Sequence, residues 1–194
     1  MQPEIHAVPE PPEELLRCFD AQNNEVEPRT RKWLKDNSDS DYRHYYNGVG
    51  SVWVINTRGE ILCSKRSATL YGNPGKWQTY FGGKVPVGST PKETAVREMG
   101  EEVGMYPDTS DLFVVQEDKR IGRYIYAHDD DISALVFPDG EIVAARWLRL
   151  DVCREESRLK PDEWCNGIND VQEERIRQWM LQHLRNTDGK FSSS

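Results

Sequence analysis

The residues best suited to chemistry in this 194-residue chain are three glutamates, Glu98, Glu101 and Glu102. On a helix, spacings of three and four put their carboxylates side by side, and like charges placed so repel by roughly 0.2–0.5 kcal/mol per pair. Gly100 adds a cost of about 1 kcal/mol against alanine in a helix interior. Helix stability alone favours neither feature. A hard divalent cation turns the repulsion into attraction, because carboxylate oxygens are the ligands that Mg²⁺ and Mn²⁺ prefer.

The neighbouring residues supply the helix. Thr90 is a good N-cap, Pro91 suits the first helical position, and Glu93 completes a capping box. Gly104 suits the left-handed position that ends a helix. Ala95, Val96, Met99 and Val103 recur at helical spacing and form the face to be buried, which turns the acids to the other side. Before the helix, Gly82 and Gly83 lack the side chains that would keep a backbone away from an ion or a phosphate.

Residues 82–105 together resemble the Nudix box. Gly83, then Arg97-Glu98-Met99, Glu101-Glu102 and Gly104-Met105 hold its fixed positions at the right spacing, and Ser89 stands where the first Glu of the motif belongs. The resemblance implies an α/β protein, a Nudix-type α/β/α sandwich with a mixed sheet. It implies a Mg²⁺- or Mn²⁺-dependent hydrolase that cleaves a diphosphate linkage in a nucleoside-diphosphate derivative or similar organic diphosphate. Glu98 and Glu102 are then the main metal ligands, Glu101 a ligand or water-orienting acid, and Gly82 a close backbone contact to the metal. These three glutamates form the catalytic set. Gly83, Arg97 and Gly104 take structural roles, with Arg97 able to pair with Glu93 or Glu101 four residues away. In the family, the Glu replaced here by Ser89 braces the Arg of the Arg-Glu pair, and Glu93 is a candidate substitute. Arg66, at a strand end, and Lys84 are implied substrate contacts. Trp77 closes a Pro74-Gly75-Lys76-Trp77 run common before the box, and either stacks on a base or packs in the core.

The segment 20–28 reads as a hairpin turning at Asn23-Asn24, followed by a helix over 30–36 with Arg31 and Trp33. This arrangement is similar to the isopentenyl-diphosphate-isomerase-like branch of the same family. The isomerase cysteine and histidines are missing: Gly82, Lys84 and Ser51 occupy those positions. Hydrolysis is therefore the leading expectation. A non-catalytic nucleotide-binding module is the alternative, with Ser89 as its support, and an isomerase ranks last.

Composition bounds the partners. The net charge of −8 argues against non-specific binding to nucleic-acid polymers or anionic membranes, so a phosphate substrate needs a local basic patch and metal ions. Four cysteines with no Cys-x-x-Cys pair suggest free thiols in a reducing, cytoplasmic setting. The acidic, proline-rich N-terminus does not read as a secretory signal, and no stretch has the length of a membrane span. The oligomeric state is open, with a homodimer compatible.

Along the chain, residues 1–14 read as a flexible lead-in, 15–186 as one domain and 187–194 as a loose tail. Strands are expected over 51–56, 61–65, 78–81, 112–116, 123–127, 132–137 and 141–148. Residues 154–169 read as irregular, and 171–184 as an amphipathic helix with Val171, Ile176, Trp179, Met180 and Leu184 inward. A further carboxylate from the second half of the chain often serves the site in this family, and Glu117, Asp129, Asp130, Asp131 and Glu141 are all candidates. Specificity is expected from loops 66–77, 117–123 and 154–169.

Overall fold

The computed structural model describes residues 14–37, 45–129 and 131–184. The expected lead-in, except Glu14, and the expected tail lie outside them, as does Asp130.

The chain begins with an antiparallel hairpin, β1 (Leu15–Phe19) and β2 (Glu25–Thr30). Asn23 closes its turn at φ 63°, and the Asp20 carboxylate accepts from the Gln22 and Asn24 amides. Thr30 caps the short helix α1 (Arg31–Asp36). A two-residue strand, β3 (Tyr46–Asn47), completes a small sheet in the order β2-β1-β3.

The main sheet contains β4 (Val49–Ile55), β5 (Glu60–Arg66), β6 (Trp77–Gln78), β7 (Phe81–Lys84), β8 (Phe113–Glu117), β9 (Ile121–Ala127) and β10 (Ile142–Arg149). Its path runs β10-β5-β4-β9-β8, and the β4–β9 pair is parallel while its other pairs are antiparallel, so the sheet is mixed. Alternation along the strands sends side chains to two layers. Val52, Val54, Leu62, Phe81 and Tyr124 pack on Ala95, Met99 and Val103 of helix α2 (Pro91–Val103). Trp53, Ile55, Ile61, Cys63 and Ile125 pack on the other side against α3 (Leu150–Leu159) and α4 (Asp170–His183) through Leu150, Cys153, Ile176 and Trp179. The result is the expected α/β/α sandwich.

Four local expectations change. The strand expected at 78–81 is broken in two: β6 pairs with β5, β7 pairs with β4, and Thr79-Tyr80 cross between them. β4 and β5 pair directly at Ile55 and Ile61, and the broken strand fills the gap where they splay apart. Residues 132–137 form a short 3-10 turn at Ile132–Ala134 rather than a strand. The Asp131 carboxylate accepts from the Ser133 amide there, a local bond that competes with strand pairing. The first part of 154–169 is helix, because α3 runs to Leu159 directly from β10. Val171 is exposed in the first turn of α4 rather than inward, while Ile176 and Trp179 are buried.

Candidate active site

Helix α2 has the ends its sequence dictates. Thr90 Oγ1 accepts from the Glu93 amide at 3.2 Å and Glu93 accepts from the Thr90 amide at 2.8 Å, closing the capping box. Gly104 ends the helix at φ 69°. Gly100 lies against the Tyr106 ring, where a Cβ would come within 2.3 Å of Cε1.

The three glutamates differ in environment. Glu102 is buried, with only 4% of its surface exposed. Among the described residues its one side-chain hydrogen-bond partner is Gln78, whose Nε2 donates to Glu102 Oε2 at 3.3 Å. Gln78 Oε1 accepts in turn from Arg66 at 3.2 Å, so Arg66 reaches Glu102 through one amide. Glu98 lies against Gly83 and is 16% exposed, whereas Glu101 is 50% exposed. Arg97 donates to Glu98 at 2.7 Å and to Glu101 at 2.8 Å, and Glu93 is committed to the cap. Arg97 thus takes the second of its two expected partners, and Glu93 does not replace the carboxylate missing at Ser89.

Burial sets the protonation. Desolvation pushes the Glu98 carboxyl up to about 7, against the pull of Arg97. Burial raises Glu102 well above the ordinary carboxylate range, and the nearby Glu98 adds to the rise. Glu141 is also raised by burial.

Glu98, Glu101 and Glu102 form one wall of a cleft of about 390 Å³, together with Gly82, Gly83 and Arg97. Arg66, Glu141, Arg31, Leu70 and Tyr71 also line it. Among the described residues, no three acidic, histidine or cysteine side chains are grouped closely enough to hold an ion as they stand. Gly82 is at φ 153°, and a Cβ there would stand 2.2 Å from the Gly50 carbonyl oxygen, so a larger residue cannot enter this register.

Of the expected contacts, Arg66 is in the cleft, while Lys84 and Trp77 do not line it. Lys84, at the end of β7, pairs across to Val49 of β4, and its charge is felt by the Cys18 thiol in β1. Trp77 packs near Trp164 at 6.3 Å, with the Arg146 guanidinium 4.1 Å from its ring centroid. Among the late carboxylates that the structure describes, Glu141 is the one at the cleft. Glu117 accepts from the Tyr124 hydroxyl, and Asp129 from the Thr57 amide. Arg31 was not singled out as a cleft residue by the sequence. It is brought there by the N-terminal hairpin, more than fifty residues before the box helix, and no local pattern announces that.

The NUDIX domain family model matches residues 44–165, more than half of the chain. The chain is similar to the uncharacterized Nudix hydrolase PA4841 of Pseudomonas aeruginosa, at 26% identity over 57% of this chain and 67% of that protein. It is also similar to the uncharacterized Nudix hydrolase lin0387 of Listeria innocua, at 26% identity over 62% and 75%. The fold matches the crystal structure of DR0079 from Deinococcus radiodurans with a TM-score of 0.58 and 19% identity, over 85% of this chain and 98% of that one. The chain belongs to the Nudix family. It is an enzyme of the Nudix hydrolase type, a pyrophosphohydrolase of small organic diphosphates. Among the described residues, no helix is long and apolar enough to cross a membrane.

Proposed function

We propose that the protein is a Mg²⁺-dependent hydrolase, with Mn²⁺ as the alternative ion, that cleaves the diphosphate linkage of a nucleoside-diphosphate derivative or a similar organic diphosphate. The observation that carries this reading is Glu102, a carboxyl buried beside a second carboxyl with only one amide for a partner. An unpaired buried acid is costly unless something neutralises it. A hard cation fits the donor set here: the Glu98, Glu101 and Glu102 carboxylates, and the backbone at Gly82. Glu98 and Glu102 would hold the ion, with Glu101 at the exposed margin. A bound divalent ion supplies charge neutralisation at phosphate oxygens and makes water a better nucleophile.

The remaining roles belong to the protein itself. Arg66 lines the acidic cleft and offers its guanidinium to the substrate phosphates. Its bond to Gln78 also fixes the amide that positions Glu102. Glu141 lines the same cleft as the box glutamates and is the described second-half acid placed to hold or accept a proton there. Gly83 gives Glu98 its place, and Arg97 ties Glu98 to Glu101.

The test is release of phosphate or a nucleoside monophosphate over a panel of nucleoside diphosphate derivatives with Mg²⁺, for wild type and Glu102→Gln. Metal-dependent turnover that drops by two or more orders of magnitude in the variant is expected. No turnover on any substrate, with ligand binding unchanged in the variant, would favour a non-catalytic nucleotide-binding module. A product with a shifted double bond would point instead to an isomerase.

A further inference from the structure

A second cleft, of about 510 Å³, opens on the face of the sheet opposite the box helix. Tyr80, Arg123, Arg154, Arg158, Asn166 and Gln172 contribute to its walls. It shares no lining residue with the acidic cleft.

Its three arginines are not equivalent. Arg154 is neutralised: it binds Asp170 and Glu173 and donates to the Ile168 carbonyl oxygen at 3.2 Å. The Arg123 and Arg158 side chains have no ion pair or hydrogen bond among the described residues. Arg158, in the last turn of α3, suits the helix macrodipole, which is an ordinary reason for a cation there. Arg123 has no such reason. It lies in β9 two residues before Ile125, on the strand face that elsewhere carries the apolar core against α3 and α4. A half-buried guanidinium at a core-facing register position is costly without an anion, and this chain is rich in acids, with a net charge of −8. The chain nonetheless leaves two arginines uncompensated at the same cleft. The Tyr80 ring, held against Trp53 at 6.1 Å between centroids, gives the cleft an aromatic wall.

We infer that this cleft is a second anion site, which takes a small phosphate-bearing molecule or free phosphate between Arg123 and Arg158. Guanidinium groups match phosphate geometry with paired donors, and two of them on one cleft set a charge that a single phosphate group balances. The site is independent of divalent ions and of the box glutamates.

Inorganic phosphate is the probe. It is titrated into the full chain without divalent ions, followed by calorimetry and by amide resonances in a ¹H–¹⁵N spectrum. Resonances of Tyr80, Arg123 and the residues around 157–158 and 166–172 are expected to shift, and added salt to weaken the effect. Arg158→Glu places a carboxylate at an exposed helix position, so the fold is kept. It is expected to lower phosphate affinity at least about tenfold. Arg123→Gln is expected to do the same. AMP shifting the same resonances as phosphate identifies a phosphomonoester ligand, and phosphate acting alone identifies the free ion. Either result supports the site. Phosphate that shifts none of these resonances, or that binds Arg158→Glu as it binds wild type, overturns it.

Discussion

A Cβ on residue 83 would stand 2.3 Å from Glu98 Oε1 and 2.4 Å from its carboxyl carbon, so Gly83 and the Glu98 carboxylate share one volume. The glycine of the box is required by the glutamate fifteen residues later. Gly83→Ala is expected to push Glu98 out of place and lower kcat/KM about 100-fold or more, since misplacement by about 1 Å costs that much. The far-ultraviolet circular dichroism should not change. Full activity in Gly83→Ala would show that the Glu98 position is not needed.

The buried acids give stability a distinctive pH dependence. Glu98 and Glu102 have folded-state pKa values above their unfolded ones, Glu98 at about 7 against 4.5. The folded state therefore holds protons that the unfolded state has released. This contribution is greatest below about pH 4.5 and is lost as pH rises through 7, by on the order of 3 kcal/mol for Glu98. In divalent-free buffer, Glu102→Gln is expected to melt above wild type at pH 8, with the gap closing towards pH 5. Mg²⁺ should raise the Tm of wild type more than that of the variant. A gap that does not vary with pH would rule out the buried charge as its source.

With Ser89 in place of the first box Glu, Arg97 hydrogen-bonds to Glu101 and Glu98. Restoring the motif with Ser89→Glu is expected to change kcat/KM by less than about threefold, because Arg97 is already held. Glu101→Gln takes away one of the two carboxylates that hold Arg97 and removes an acid from the cleft, and a loss of about tenfold or more is expected. The Arg97–Glu101 pair is exposed, so its removal should change stability by no more than about 1 kcal/mol. Steady-state kinetics beside a denaturant titration separates the two effects.

The capping box should act on stability rather than chemistry. Thr90→Ala removes the oxygen that accepts from the Glu93 amide and is expected to cost about 1 kcal/mol. A urea titration measures it, and kcat should stay near wild type.

The box helix was legible from both ends, because Thr90, Pro91, Glu93 and Gly104 act through local bonds that need no tertiary context. The main strands were legible for the same reason, being runs of β-branched and aromatic residues between turn signals. The break at Thr79-Tyr80 was not, because it depends on β4 and β5 splaying apart, which only the assembled sheet decides. Helix α3 is short of apolar residues, burying only Leu150 and Cys153, so its charges read as a loop. Glu141 was one of five acids in sequence and stands out only because Ser67 donates to its carbonyl oxygen and holds that strand end at the cleft. Lys84 was an expected substrate contact by family resemblance, and Trp77 was left between stacking on a base and packing in the core. Strand alternation turns Lys84 away, and the loop around Trp164 gives Trp77 a partner elsewhere.

The N-terminal hairpin closes on the box itself. The Arg17 amide donates to the Val85 carbonyl oxygen and the Val87 amide to that of Leu15, each at 2.9 Å. The Arg17 guanidinium reaches the Ser89 carbonyl oxygen, 72 residues away in the chain. The family match begins at residue 44, so the strand that ties down the box loop precedes it. In kinetic terms, these ties are highly non-local and close a long loop before they gain anything. The helix can form early from its own caps, but the loop that carries Gly82 and Gly83 gains these supports only when the first strand docks. Catalytic competence should therefore be among the last properties to appear on refolding, after the helix signal has returned.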